Sequence, residues 1–222
     1  MMSNNDSTYP ASLTPFKQKR LSEKLVIIIN GKGGVGKDTV CDVAAKFFRV
    51  KVVSSITPIK EVAAHCGWTG EKDNKSRKFL ADLKALLIDY NGLPNNYLEK
   101  EYNDFMLSGN CGDNCGDVNS NNCSNTCSEN DLLFVHIREG SQIDDFKKRI
   151  PSKCITLIIR SPVIDSTNVV YGNVSDDDVE DYDYDYSFTN GSSLEALDRD
   201  FIEFLNELFA TEGISVTEGI NT

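Results

Sequence analysis

Lys24-Leu-Val-Ile-Ile-Ile-Asn30 runs straight into Gly31-Lys-Gly-Gly-Val-Gly-Lys37-Asp38-Thr39-Val40. The apolar, β-branched run predicts a strand buried on both faces. A glycine-rich loop follows, and an amphipathic helix begins behind it. Gly31 to Lys37 has the spacing G-x-x-x-x-G-K, a loop whose backbone wraps phosphate. Glycines let successive N–H groups turn inward and approach the anion closely. The helix N-terminus adds partial positive charge, and the Lys37 ammonium adds a whole one. Gly31, Lys32, Gly33, Gly34, Val35, Gly36 and Lys37 are therefore the predicted phosphate cradle. Where this motif usually offers a Ser or Thr hydroxyl to magnesium, the chain has Asp38, with Thr39 one place later.

Outward from that loop, strands and helices alternate. Val40, Val43, Ala44, Phe47 and Phe48 recur at helical spacing behind the loop. Residues 50–55 predict a second strand. Thr57-Pro58 opens a helix, with Thr as N-cap and Pro at the first helical position. Residues 74–90 are strongly amphipathic, with Phe79, Leu80, Leu83, Leu86, Leu87 and Tyr90 on one side and Lys75, Arg77 and Lys78 in the first turn. A helix over 95–106 follows the Gly92-Leu-Pro94 break. Strands are predicted over 131–137, 154–159 and 183–188, with helices over 142–149 and from a capping box at Ser192-Ser-Leu-Glu195. Alternation of this kind predicts a three-layer α/β/α domain: a roughly five-stranded parallel sheet with helices on both faces. The domain spans about 23–210. Residues 1–22 read as a mobile polar tail, and 211–222 as a loose end.

The 222 residues suit one such domain, and the net charge of −11 argues against nucleic acid as a main partner. No apolar run is long enough to span a membrane, and the N-terminus lacks a secretory apolar core, so a cytoplasmic enzyme is expected. Of seven cysteines, Cys41, Cys66 and Cys154 sit in apolar periodic segments and read as small buried residues. Cys111, Cys115, Cys123 and Cys127 lie in an Asn-, Ser- and Gly-rich insertion at about 108–130. Their symmetric spacing allows zinc, while the composition is that of a tolerated polar insertion. The acidic run 176–181 reads as a solvated face.

Three patterns overlap in the loop. Gly31-x-Gly33-x-x-Gly36 also fits the dinucleotide fingerprint, which needs an acidic residue about 20 positions on; Ser54-Ser55 stand there instead, and Lys37 would be unexplained. Lys32-Gly-Gly-Val-Gly-Lys37 resembles the loop of partition-type ATPases, but residues 53–57 and 135–139 lack that group's acidic stretches. Gly36-Lys37-Asp38-Thr39 most resembles the P-loop small-molecule kinases of the deoxynucleoside monophosphate kinase and phosphomevalonate kinase group, in which Gly-Lys-Asp replaces Gly-Lys-Ser/Thr. Ile137-Arg138-Glu139 is similar to that group's arginine-bearing strand end. Residues 185–194 resemble a closing strand, Asn turn and helix.

That resemblance implies a P-loop NTPase fold, ATP and Mg²⁺ as cofactors, and transfer of the γ-phosphoryl group to a small phosphorylated acceptor, best a nucleoside or deoxynucleoside monophosphate. Lys37 would neutralise the β- and γ-phosphates, and Asp38 with Thr39 would hold Mg²⁺ through hard oxygen donors. Arg138 and Arg160, each just after or at a strand end, are the expected catalytic cations, Arg160 as a lid arginine. Lys60, Arg77, Arg138 and Glu139 are the expected acceptor contacts. A nucleotide-binding regulator or partition-type ATPase with no small-molecule acceptor is the competing expectation.

Overall fold

The computed structural model describes residues 18–71, 73–108, 130–165, 178–191 and 193–218. The readings of residues 1–17 and of Cys111, Cys115, Cys123 and Cys127 fall outside them. Five parallel strands form the central sheet: β2 (Leu25–Asn30), β3 (Val50–Ser54), β4 (Leu132–His136), β5 (Cys154–Arg160) and β6 (Tyr186–Thr189), in the order β3-β4-β2-β5-β6. β2 is thus flanked on both sides, by β4 and β5, and its six residues are all buried. A strand with both edges paired and both faces covered has to be apolar throughout, which is what Leu-Val-Ile-Ile-Ile supplies.

Side chains alternate across the pleat, so the same strand feeds two cores. Ile27 and Ile29 pack with α1 (Lys37–Phe47) and the long C-terminal helix, whose core residues include Phe201, Leu205, Leu208 and Phe209. Val26 and Ile28 pack on the other face with Leu98, Tyr102 and Phe105 of α4 (Leu93–Leu107), and Ile143 and Phe146 of α5 (Gly140–Arg149). Helices α2 (Thr57–His65) and α3 (Asn74–Asn91) connect β3 to α4. α6 (Pro162–Asp165) is one short turn after β5, a 3-10 turn occupies Asp178–Asp181, and α7 (Leu194–Thr211) is the C-terminal helix. This is the three-layer α/β/α fold that the alternation predicts.

Several local expectations change. β1 (Arg20–Leu21) pairs antiparallel with β7 (Val216–Thr217), so parts of both expected tails are strand. Two residues a side are too short for periodicity to reveal. α2 starts at Thr57 with Ile56 at the N-cap, and α7 is capped by Ser193, whose side chain accepts from the Ala196 N–H. Cys66 is exposed at the end of α2 rather than buried. The largest revision concerns α3. Its apolar stripe is not a core face: Leu86 is 62% and Tyr90 79% exposed, and the one buried residue of the helix is Lys84.

Candidate functional site

Gly31, Gly34 and Gly36 all take positive φ, at 142°, 85° and 92°, which bends the chain sharply out of β2 and into α1. At Gly31 a Cβ would run into the Ile159 carbonyl of β5 and come within 2.9 Å of Val35 Cγ2. The loop therefore lies against the neighbouring strand as only glycine permits. Val35 is buried and pins the loop to the core, while Gly36 sits at the N-cap with no side chain capping the helix. With glycine there, no N-cap side chain competes for the first turn of α1, as in an anion-binding helix start. Lys37 Nζ donates to the Gly31 carbonyl and, at 2.8 Å, to that of Lys32, folding the ammonium over the loop.

Two asparagines hold this turn. Asn190, just past β6, donates from Nδ2 to the Val35 carbonyl at 2.9 Å. Asn30, the fully buried last residue of β2, accepts from the Gly31 N–H at 2.8 Å. Its Nδ2 donates to the Arg138 carbonyl at 2.9 Å and to the Tyr184 hydroxyl at 2.7 Å. Tyr184 in turn donates to the Val179 carbonyl at 2.9 Å, and burial pushes its phenol up to about 12, so it stays a donor at neutral pH. A single amide thus fixes the loop, the end of β4 and the segment before β6 relative to one another. The sequence signal for Asn30 was available: a polar residue closing a run of five fully apolar ones.

Arg138 and Arg160 stand at the carboxyl ends of β4 and β5, on the same sheet edge as the loop, where open α/β sheets bind ligands. Arg138 is exposed. Arg160 is braced rather than loose: Nε and Nη2 donate to Glu180 Oε2 at 3.1 and 2.9 Å, and Nη1 to Ser187 Oγ at 2.7 Å. Glu180 also faces Lys32 at 3.8 Å. The acidic run, expected as a solvated face, is therefore partly structural, with Val179 buried and Glu180 set between two cations of the site. Nothing in an unbroken acidic stretch marks which carboxylate will find a partner.

Asp38 projects from the first turn of α1 with its side chain 96% exposed, 3.9 Å from His136 Nδ1. Thr39, beside it, is half-buried. His136 ends β4, with Nε2 3.6 Å from Cys41 Sγ. Burial, only partly offset by Asp38, pulls its imidazole down to about 4, so it is neutral at physiological pH. The Asp38 carboxylate and the Thr39 hydroxyl set hard oxygen donors, of the kind that suit Mg²⁺, side by side at this edge. An uncapped helix start, two lysines and a carboxylate together fit a magnesium-bound triphosphate.

Glu139 faces a different partner from the one expected. Its carboxylate meets Lys84 Nζ of α3 at 2.6 Å, and Lys84 also donates to Ser55 Oγ at 3.3 Å. Lys84 is 6% exposed; burial lowers its pKa, and the Glu139 charge opposes that shift. The sequence reading missed Lys84 because its register on α3 lies outside the apolar stripe. Lys60 and Arg77 are both exposed, on α2 and in the first turn of α3. Arg77 lies about 10 Å along the α3 axis from Lys84, at the 1.5 Å rise of a helix.

No protein-family model matches the chain. No curated protein matches it in sequence either. Among solved structures, a Thermus thermophilus protein superposes with a TM-score of 0.44 at 16% identity, over 84% of this chain and 98% of that one. The shikimate kinase of Aquifex aeolicus gives 0.43 at 13%, over 85% and 98%, and a gluconokinase of Sinorhizobium meliloti gives 0.41 at 10%, over 85% and 95%. At such identities and scores these likenesses bear no weight on activity. No helix among the described residues is long and apolar enough to cross a membrane.

Proposed function

We propose that the chain is an ATP-dependent phosphotransferase that moves the γ-phosphoryl group to a small phosphorylated acceptor, a nucleoside or deoxynucleoside monophosphate. The observation that carries this reading is one sheet edge holding a glycine cradle with Lys37, a free Asp38 carboxylate, and arginines at the ends of both flanking strands. Lys37, Lys32 and the backbone of 31–36 bind the donor phosphates. Asp38 and Thr39 hold Mg²⁺, which neutralises phosphate charge when bound. An oxygen of the acceptor phosphate forms the new bond to the γ-phosphorus as the bond to the β-bridging oxygen breaks and ADP departs. That oxygen is already ionised, so no general base is required, in keeping with a neutral, shielded His136. Arg138 faces the acceptor and Arg160, oriented by Glu180, the transferring group, since this chemistry depends on positioning and charge. Lys60 and Arg77 are the outer acceptor contacts.

The test is ADP release from ATP and Mg²⁺ with a panel of nucleoside monophosphates and phosphomevalonate, beside Lys37→Ala. Acceptor-dependent release that the substitution abolishes supports the reading; near-normal release in Lys37→Ala refutes the site. Hydrolysis that ignores every acceptor favours a nucleotide-binding regulator or partition-type ATPase without a small-molecule acceptor.

A further inference from the structure

The glycine cradle and the strand beside it offer two cations to a single carboxylate. Lys32 belongs to the cradle. Arg160 ends β5, the strand on which the cradle lies: a Cβ on Gly31 would meet the Ile159 carbonyl, and one on Gly34 would stand 3.5 Å from Ile164 Cδ1. Both cations reach Glu180 in the 3-10 turn. Arg160 donates to Oε2 from Nε and Nη2, while Lys32 Nζ stands 3.8 Å from Oε1. Each carboxylate oxygen thus faces one cation.

The fold holds this carboxylate in place. Val179, next to Glu180, is buried, and its carbonyl accepts from the Tyr184 hydroxyl. Tyr184 accepts from Asn30 Nδ2, and Asn30 Oδ1 accepts from the Gly31 N–H. The backbone carrying Glu180 is therefore tied, through Tyr184 and Asn30, to the first glycine of the cradle. Stability does not call for an acid at this position. The Glu180 side chain is 34% exposed, and an ion pair so open to water adds little. Arg160 keeps a second brace without it, because Nη1 donates to Ser187 Oγ at 2.7 Å.

The chemistry of the position follows from its groups. A carboxylate and one edge of a phosphate offer a guanidinium the same pair of oxygens, and the arginine fork fits either. Ground shared by a cradle lysine and a strand-end arginine therefore suits a phosphate as well as it suits Glu180. We propose that Glu180 stands in for the γ-phosphate of the donor in the free protein, and that a triphosphate displaces it from Lys32 and Arg160 on binding. This rests on the donor half of the reading above and is independent of the acceptor. Glu180 is then a specificity-determining residue. It weakens a triphosphate by the fraction of molecules in which the carboxylate is seated, and leaves a diphosphate, which does not reach that ground, unaffected. A purely structural brace has the opposite sign, since its loss would loosen Arg160 and weaken the triphosphate.

Calorimetry on the full chain tests this with the Mg²⁺ complexes of ADP and of the non-hydrolysable imido analogue of ATP. The proteins are the wild type, Glu180→Gln and Asp181→Asn. Glu180→Gln keeps the shape and removes the charge, with Glu180→Ala replacing it if that variant folds poorly. It is expected to tighten the ATP analogue by about three- to tenfold, with ADP within twofold of wild type. Asp181→Asn removes the same charge from the exposed neighbouring side chain and should move neither ligand by more than twofold. An ATP analogue that binds Glu180→Gln no more tightly than wild type overturns the proposal. Equal tightening for ADP, or in Asp181→Asn, does the same by reducing the effect to general charge. No binding of either nucleotide up to millimolar concentration overturns it together with the donor site. Selective tightening without acceptor-dependent ADP release would sink the kinase reading and leave this one standing. Acceptor-dependent transfer with an unmoved ATP-analogue affinity would do the reverse.

Discussion

Lys84 of α3 and Glu139 at the start of α5 meet at 2.6 Å across the carboxyl edge of the sheet, the lysine almost wholly buried and the carboxylate a quarter exposed. This pair joins the helices on the β3 side to the strand end that bears Arg138. Breaking a buried ion pair by removing one partner leaves a charge uncompensated, at a cost of about 3–5 kcal/mol when both partners are deep. Glu139 keeps contact with water, so Lys84→Met is expected to lower unfolding free energy by about 1–3 kcal/mol. Glu139→Gln should cost more than Lys84→Met, because it strands the deeper charge. The double variant should recover a good part of the loss, and urea unfolding of all four proteins measures the coupling directly. Additive losses would show that the pair is incidental.

Gly31 of the loop and Gly67, just past the end of α2, separate two effects. Both have positive φ, at 142° and 88°, but a Cβ on Gly31 meets the Ile159 carbonyl while one on Gly67 meets nothing within 4 Å. Gly67→Ala should thus cost only backbone strain, on the order of 1 kcal/mol. Gly31→Ala adds a clash with backbone that cannot rotate away, and should cost at least about 2 kcal/mol more. Thermal unfolding compares them, and ATP binding should fail in Gly31→Ala alone. Equal losses in the two variants would mean that the loop is looser than its packing on β5 implies.

Asp38 tests the metal. Asp38→Ala is expected to raise the magnesium concentration needed for half-maximal activity several-fold, with ATP affinity at saturating metal little changed. If the magnesium dependence does not move, Asp38 serves only as an acidic residue at the helix start.

His136 gives the pH dependence. Its folded-state pKa, about 4, lies below the ordinary value of 6.5. Between those values the unfolded chain takes up a proton that the folded one refuses. Stability is therefore lost as pH falls from 6.5 towards 4, by up to about 1.4 kcal/mol per pH unit from this group, and no further below 4. Chemical unfolding of metal-free protein at pH 7, 6 and 5 should show that slope, and His136→Gln should flatten it. A slope unchanged by the substitution would assign the acid sensitivity to carboxylates instead.

The order of elements and the phosphate loop were legible in the sequence because both are written locally. Strands β2, β4 and β5 are mostly apolar runs, and the loop is a glycine spacing with a lysine, each readable within a dozen residues. Asp38 could be singled out for the same reason, as a departure at a fixed position. The helix at 74–91 shows where that legibility ends. Its apolar stripe obeys helical periodicity, yet periodicity says only that one face differs from the other. In the fold the helix lies on the outside of α2 and α4, and its buried residue is a lysine.

The sequence by itself determined that a phosphate cradle follows a central strand in a parallel α/β sheet. Propensity, pattern and loop chemistry all act over short stretches of chain. The tertiary structure alone decided the partners: Asn30 with Arg138 and Tyr184, Glu180 with Arg160, Lys84 with Glu139, Asn95 with Asp145, and the amide of Gln142, buried with no partner among the described residues. Most of these groups lie 20 to more than 150 residues apart in the chain. Whether each charge or amide is paired, braced or left open depends on which helix packs beside it, and no local pattern records that.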